Sequence, residues 1–239
     1  MPAVAAESDR VVGEGLVLRR DERGLALIAD GMELRQDFRD LMHRVRPGVL
    51  ERELIVRAAR VRVSKEKGPL TVVDATAGLG EDAFLLAAAG FEVILCEADP
   101  VIAALLADAL RRAADDPATA GIASRMVLRQ GDSVEVLRAL PFEPDVVYLD
   151  PMFPARRKSA AVKKKFQLLH RLERPCDDEA AERLLTAALA ARARRIVIKR
   201  PAKGPCLAGA RPSHAVAGKA VRFDVIVPPR RIAGKEGLA

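Results

Sequence analysis

"VVDATAGLGEDAFLLAAAG", residues 72–90, opens on two valines and closes that run with Asp74. It then passes through a glycine loop and continues as an Ala- and Leu-rich stretch that stops at Gly90. A short β-branched run before a glycine loop reads as a buried strand, and the stretch after it as a helix over 82–90. The alternation repeats downstream. Strands are expected over 70–76, 92–99, 125–132, 144–150, 194–201 and 221–228, and helices over 100–114, 133–140 and 177–193. Pro100 suits a first helical turn, and the acids opening 177–193 suit the positive end of a helix dipole. Strands alternating with helices imply an α/β, Rossmann-like fold, its mostly parallel sheet covered on both faces.

Residues 1–67 read differently. "GLVLRR" (15–20) and "LALIAD" (25–30) can pair as short strands across the turn-like "DERG". "VLERELIVRAARV" (49–61) has apolar residues at helical spacing, and "SKEKGP" (64–69) has the composition of a linker. The expected organisation is a small α+β extension over 1–67 and one main domain over 68–239.

The chain has 239 residues, half of them apolar and 31% charged, as in a globular protein. With no Trp and a single tyrosine, Tyr148, its core must rest on Leu, Val, Ile and Ala. Charge is unevenly spread. Residues 155–174 hold eight Arg or Lys against Glu173, an excess equal to the +7 of the whole chain. Such a patch attracts a polyanion, and nucleic acid is the usual one; a solvated basic helix face is the plainer alternative. Cys96, Cys176 and Cys206 lie far apart, so neither a zinc site nor a disulfide framework is indicated, and free thiols suit a reducing cytoplasm. The start "MPAVAAESDR" lacks a signal-peptide pattern, and no apolar run approaches the ~20 residues of a membrane helix. His43, His170 and His214 are scattered and suggest neither a triad nor a metal site.

Gly78, Gly80 and Ala83 formally satisfy G-x-G-x-x-G/A, a fingerprint of dinucleotide binding. Asp74 closes the strand before the loop, where S-adenosylmethionine enzymes place an acid toward the cationic methionine end of the cofactor. Glu97 ends the next strand, 23 residues after Asp74. A carboxylate there accepts both hydroxyls of a ribose, whether in NAD or in S-adenosylmethionine. Asp132 and Ser133 end the third strand where an adenine edge would sit, and Asp132 also suits the N-cap of the following helix.

The fourth strand ends in "YLDPMFP" (148–154). Ligands of open α/β sheets bind outside the carboxyl ends of the strands, so Asp150 belongs to the same crevice as the glycine loop. The Asp150 carboxylate, a Pro151 carbonyl held by the proline ring, and Phe153 as a stacking surface form a receptor for a planar base bearing an exocyclic amine. The basic segment that follows can hold a phosphate backbone.

"VVDATAGLGEDAFLLAAAG", "VVYLDPMFPARRKSAAVKK" and "VIKRP" together resemble the ribosomal RNA small subunit methyltransferase J family, over roughly residues 70–228. The resemblance implies a class I methyltransferase with a mostly parallel seven-stranded sheet. It also implies methyl transfer from S-adenosylmethionine to the N2 amine of a guanine near the 3′ end of 16S rRNA. By motif, the cofactor residues are Asp74, Ala75, Gly78, Gly80, Glu81, Asp82, Glu97, Ala98, Asp132, Ser133 and Asp150. Asp150, Pro151 and Phe153 fall to catalysis. Arg156, Arg157, Lys158, Ser159, Lys163, Lys164, Lys199 and Arg200 are candidate RNA contacts. The family pattern carries Arg where this chain has Glu81 and Ala98. "DPMFP" is also a relative of the (N/D)PP(Y/F) motif of amino-group methyltransferases, with Met152 in place of the second proline. Three competing readings remain: a methyltransferase acting on another RNA or DNA base amine, a NAD-type oxidoreductase, and a non-catalytic RNA-binding protein on the same scaffold.

Overall fold

The computed structural model describes residues 8–62, 68–152, 168–169, 171–172 and 176–229. Two sheets form. The first is an antiparallel meander of β1 (Ser8–Gly13), β2 (Leu16–Asp21), β3 (Gly24–Ala29) and β4 (Met32–Leu34). The expected hairpin is its centre, with Val17 opposite Ile28 and Asp21 opposite Gly24. The helix expected over 49–61 is shorter: a 3-10 turn, Leu50–Arg52, precedes α1 (Leu54–Ala59). Glu53 separates them because its backbone is extended, with ψ 129°.

The second sheet has seven strands in the order β10-β11-β9-β8-β5-β6-β7. These are β5 (Thr71–Asp74), β6 (Glu92–Glu97), β7 (Met126–Gln130), β8 (Val146–Leu149), β9 (Arg195–Pro201), β10 (His214–Ala217) and β11 (Val221–Ile226). β5 to β9 run parallel, while β11 is antiparallel to both its neighbours. The helices are α2 (Glu81–Ala88), α3 (Pro100–Asp115), α4 (Ala120–Ala123), α5 (Ser133–Arg138) and α6 (Asp178–Ala190). Every strand and helix expected after residue 70 is present, with ends shifted by a few residues. β10 and α4 were not legible, being four residues each and without a clear apolar period.

Alternating side chains of the central strands feed two layers. Val72, Val146, Tyr148 and Val197 pack toward α1, α2 and α3, and Val73, Val147, Leu149, Ile196 and Ile198 toward α5 and α6. Asp99, Asp132 and Asp177 cap α3, α5 and α6 through their side chains. The chain runs outward from β5 to β7, then returns to β8 on the other side of β5. That reversal opens a crevice at the carboxyl ends of β5 and β8.

The segment expected as one extension divides in its packing. Phe38, Leu41, Ile55, Val56, Ala58 and Ala59 join the main core, where Phe38 stacks on Phe84 at 4.8 Å. The meander instead packs Leu16, Leu18, Leu27 and Leu34 onto Val101, Ile102 and Leu105 of α3. Asp108 of α3, its side chain 1% exposed, joins the two polar frameworks. It accepts from Arg20 Nη1 at 2.7 Å, the Leu25 main-chain N–H at 2.9 Å, Arg112 Nε at 2.8 Å and Arg111 Nη2 at 3.2 Å. Burial opposes its charge, but the Leu25 N–H and the three guanidinium groups outweigh it and hold the carboxyl well below the usual carboxylate range.

Asp108→Ala leaves those donors without their acceptor and is expected to cost about 3–5 kcal/mol of stability, measured by urea unfolding. Because the native carboxyl titrates below its unfolded value of about 3.9, this stability is present above that pH and is lost as pH falls through the lower, native titration. Asp108→Asn should flatten that acid-side loss; an unchanged acid profile in this variant would show that other carboxylates govern it.

Candidate active site

The loop after β5 turns through two glycines for two reasons. Gly80 (φ 75°) sits against the core: a Cβ there would lie 2.8 Å from Leu106 Cδ1 and 3.3 Å from Leu95 Cδ2. Gly78 (φ 54°) has nothing within 4 Å of where a Cβ would be. Gly80 therefore lets the helix approach the sheet, and Gly78 leaves the backbone bare toward the crevice.

Across that space, Glu97 at the end of β6 accepts from the Gly78 N–H at 2.9 Å and the Asp99 N–H at 2.8 Å, one on each carboxylate oxygen. Burial nevertheless pushes its carboxyl above the ordinary value against these hydrogen bonds. The cavity here holds about 540 Å3, within the ~300–1,000 Å3 typical of small-molecule sites. Of the expected cofactor residues, Ala75, Gly78, Glu97, Ala98, Ser133 and Asp150 line it. Asp132 does not; it is exposed and caps α5 by accepting from the Val134 N–H at 2.8 Å.

Asp74 lies behind this lining, 1% exposed, and accepts from the Thr76 N–H at 3.0 Å. Burial, reinforced by the negative charges of Asp82 and Asp150, pushes its carboxyl up to about 8, against the Thr76 N–H and Lys199. A buried acid in that condition favours the arrival of a cation. The bare Gly78 backbone, the doubly held Glu97 carboxylate and this cation-seeking Asp74 fit a ligand with a ribose and a cationic amino end.

Asp150 stands at the end of β8. Its main-chain N–H donates to Thr76 Oγ1 at 2.6 Å, tying the two loops together. Pro151 follows and is buried. Glu81 and Asp82 both open α2, but neither lines the cavity. Asp82 accepts from Tyr148 OH at 2.6 Å and Lys199 Nζ at 2.8 Å. Lys199 Nζ also lies 2.8 Å from Asp150 Oδ2. Two residues expected as RNA contacts are thus held inward. Lys199 is in this cluster, and Arg200 is 2% exposed with Nε donating to the Pro205 carbonyl at 2.7 Å. Phe153, Arg156, Arg157, Lys158, Ser159, Lys163, Lys164 and His170 lie outside the described residues.

Sequence reasoning missed Thr76, Tyr148 and Leu172. Tyr148 had a signal: it is two residues before Asp150 on a strand, hence on the same face. Leu172 had none. It reaches the cavity wall because Leu168 and Leu169 are buried with the N-terminal meander and α3. Arg171 bridges two of that meander's turns, at 2.7 Å from Asp30 Oδ2 and 2.7 Å from the Glu14 carbonyl.

Comparison with known proteins agrees with this geometry. A family model described as a putative SAM-dependent methyltransferase matches residues 14–228. Ribosomal RNA small subunit methyltransferase J of Marinobacter nauticus is 45% identical over 218 residues, covering 88% of this chain and 77% of its own length. The protein of that name from Pseudomonas fluorescens is 42% identical over 237 residues, covering 94% and 89%. The crystal structure of a SAM-dependent methyltransferase from Neisseria gonorrhoeae superposes with a TM-score of 0.73 at 33% identity, covering 96% of this chain and 88% of its own. These matches decide between the two cofactors that Glu97 alone left open. The chain belongs to the ribosomal RNA small subunit methyltransferase J family, class I enzymes that use S-adenosylmethionine.

Proposed function

We propose that the chain methylates the N2 amine of a guanine near the 3′ end of 16S rRNA in the small ribosomal subunit, a cytoplasmic task. The relatives' names supply the class of substrate. The observation that carries the chemistry is the position of Asp150, which lines the same cavity as the Gly78 loop. An amine acceptor and the cofactor loop therefore share one crevice.

When bound, S-adenosylmethionine supplies an electrophilic methyl whose bond to sulfur breaks, the pair staying on sulfur, as the amine lone pair forms the carbon–nitrogen bond. The chain's own groups do the rest. The guanine N2 lone pair is delocalised into the ring and is a poor nucleophile. Hydrogen bonds from its two protons to Asp150 and the Pro151 carbonyl raise its electron density and align it. Positioning of this kind supplies on the order of 7–11 kcal/mol in favourable cases. The surplus proton on nitrogen leaves to the Asp150 carboxylate or to water. The base must be single-stranded or turned out of its helix to enter the crevice, and the basic run 155–174 supplies the attraction for phosphate.

Labelled methyl transfer to small subunits from a strain lacking this protein, followed by nucleoside analysis, tests the reading. Label should appear in N2-methylguanosine and fall by about 100-fold or more in Asp150→Ala. Label on a different base amine would move the target. No label on subunits or naked RNA, with S-adenosylmethionine still bound, would sink the ribosomal substrate. In calorimetry, Glu97→Ala should weaken S-adenosylmethionine binding by about 1.5–3 kcal/mol through lost charge-assisted hydrogen bonds. Native affinity in that variant would remove Glu97 from the ribose.

A further inference from the structure

Lys199 falls among the residues expected at an RNA phosphate, yet its surroundings describe a different task. Its ammonium reaches from β9 to two carboxylates at once, Asp150 Oδ2 at 2.8 Å and Asp82 Oδ2 at 2.8 Å. Asp82 is itself braced from behind by Tyr148 OH at 2.6 Å. Burial, with the negative charges of Asp82, Asp150 and Asp74, keeps that phenol protonated and therefore a donor. Two strands, β8 and β9, and one helix, α2, thus deliver a chain of contacts, Tyr148 to Asp82 to Lys199 to Asp150, that ends at the cavity. Two of the ammonium's three N–H donors are thereby committed to carboxylates rather than to a phosphate.

We propose that Lys199 is a positioning residue of the methyl-transfer site, its ammonium keeping the Asp150 carboxylate anionic and turned to the amine while Asp82 and Tyr148 hold the ammonium in place. The idea rests on the proposed role of Asp150. An anionic Asp150 accepts the amine hydrogen bond and then the surplus proton: the N–H bond breaks, its electrons stay on nitrogen, and an O–H bond forms on Asp150. A neutral Asp150 cannot take the proton, and it accepts the hydrogen bond only without the help of charge. The surroundings make that ionisation precarious. Burial raises its carboxyl, Asp82 raises it further, and Lys199 and the more distant Arg200 oppose them. Asp74 on β5 adds another negative charge nearby when ionised. Lys199 is also held charged: burial opposes its ammonium, but Asp82 and Asp150 outweigh it and raise its proton affinity.

The test is the pH profile of kcat, with S-adenosylmethionine and unmethylated small subunits, for the native enzyme and for Lys199→Met, Lys199→Arg, Asp82→Asn and Asp150→Asn. Lys199→Met should move the acid-side limb up by about one pH unit or more, a tenfold or greater loss of rate along that limb. Its KM for subunits should change little, and Lys199→Arg should restore most of the native profile. Asp82→Asn should move the limb the opposite way, since it removes a like charge from Asp150 while leaving an acceptor for Tyr148. That second variant carries the test if Lys199→Met fails to fold. An unmoved limb in both variants, with a raised KM and a shallower salt dependence in Lys199→Met, would overturn the proposal in favour of a phosphate contact. Native kcat in Asp150→Asn would instead overturn the role of Asp150 itself; an inactive Asp150→Asn beside unmoved limbs would overturn Lys199 alone.

Discussion

Three carboxylates, Asp74, Asp82 and Asp150, converge where β5 and β8 end, and one ammonium makes that convergence tenable. Lys199 Nζ is 2.8 Å from two of them. Carboxylates drawn together raise one another's proton affinity, and each is fixed by its place on a strand end or a first helical turn. The enzyme gains acceptor groups beside its cofactor loop only because β9, the next strand over, delivers a cation from the same end of the sheet. Thr76 adds the second restraint: its hydroxyl accepts from the Asp150 N–H and its own N–H donates to Asp74. One threonine thereby locks the two loops whose relative position sets the crevice.

The N-terminal meander serves this site from a distance. It is bound to α3 by the Leu16, Leu18 and Leu27 contacts and by Asp108, which replaces four separate solvation demands with one shared acceptor. The same meander receives Leu168, Leu169 and Arg171. Farther along, the Cys176 N–H donates to the Met152 carbonyl at 2.7 Å. The chain that leaves the crevice after Met152 is therefore fastened again at two places, and Leu172 is brought to the cavity wall between them. Cys96 lines the same wall as a neutral thiol, since burial, aided by the charges of Asp74 and Glu97, pushes it up to about 12.

Much of this was readable from local pattern. The parallel sheet followed from short β-branched runs alternating with capped helices, because strand and helix periods are written in neighbouring residues. Gly78, Glu97 and Asp150 were readable as crevice residues because loops at the carboxyl ends of parallel strands must meet the same space. Asp132 carried two compatible readings: its position at a strand end suited both an adenine contact and a helix cap, and its side chain makes the cap. Lys199 and Arg200 show the limit of such reasoning. Beside a basic run, two more cations looked like phosphate ligands; alternation along β9 sends them to opposite faces of the sheet, Lys199 to Asp82 and Asp150 and Arg200 to the Pro205 carbonyl.

The order of elements, the glycine loop and the acid at the end of β8 were all written in the linear chain, since each depends on residues within a few positions of one another. The partners were not; folding chose them. That Lys199 meets Asp82 across 117 residues, that Asp108 meets Leu25 across 83, and that Arg171 reaches Asp30 across 141 depend on strand order and on the face a helix presents. The energy of each contact is local to three-dimensional space, and a linear pattern carries no record of which distant charge will be delivered to neutralise it.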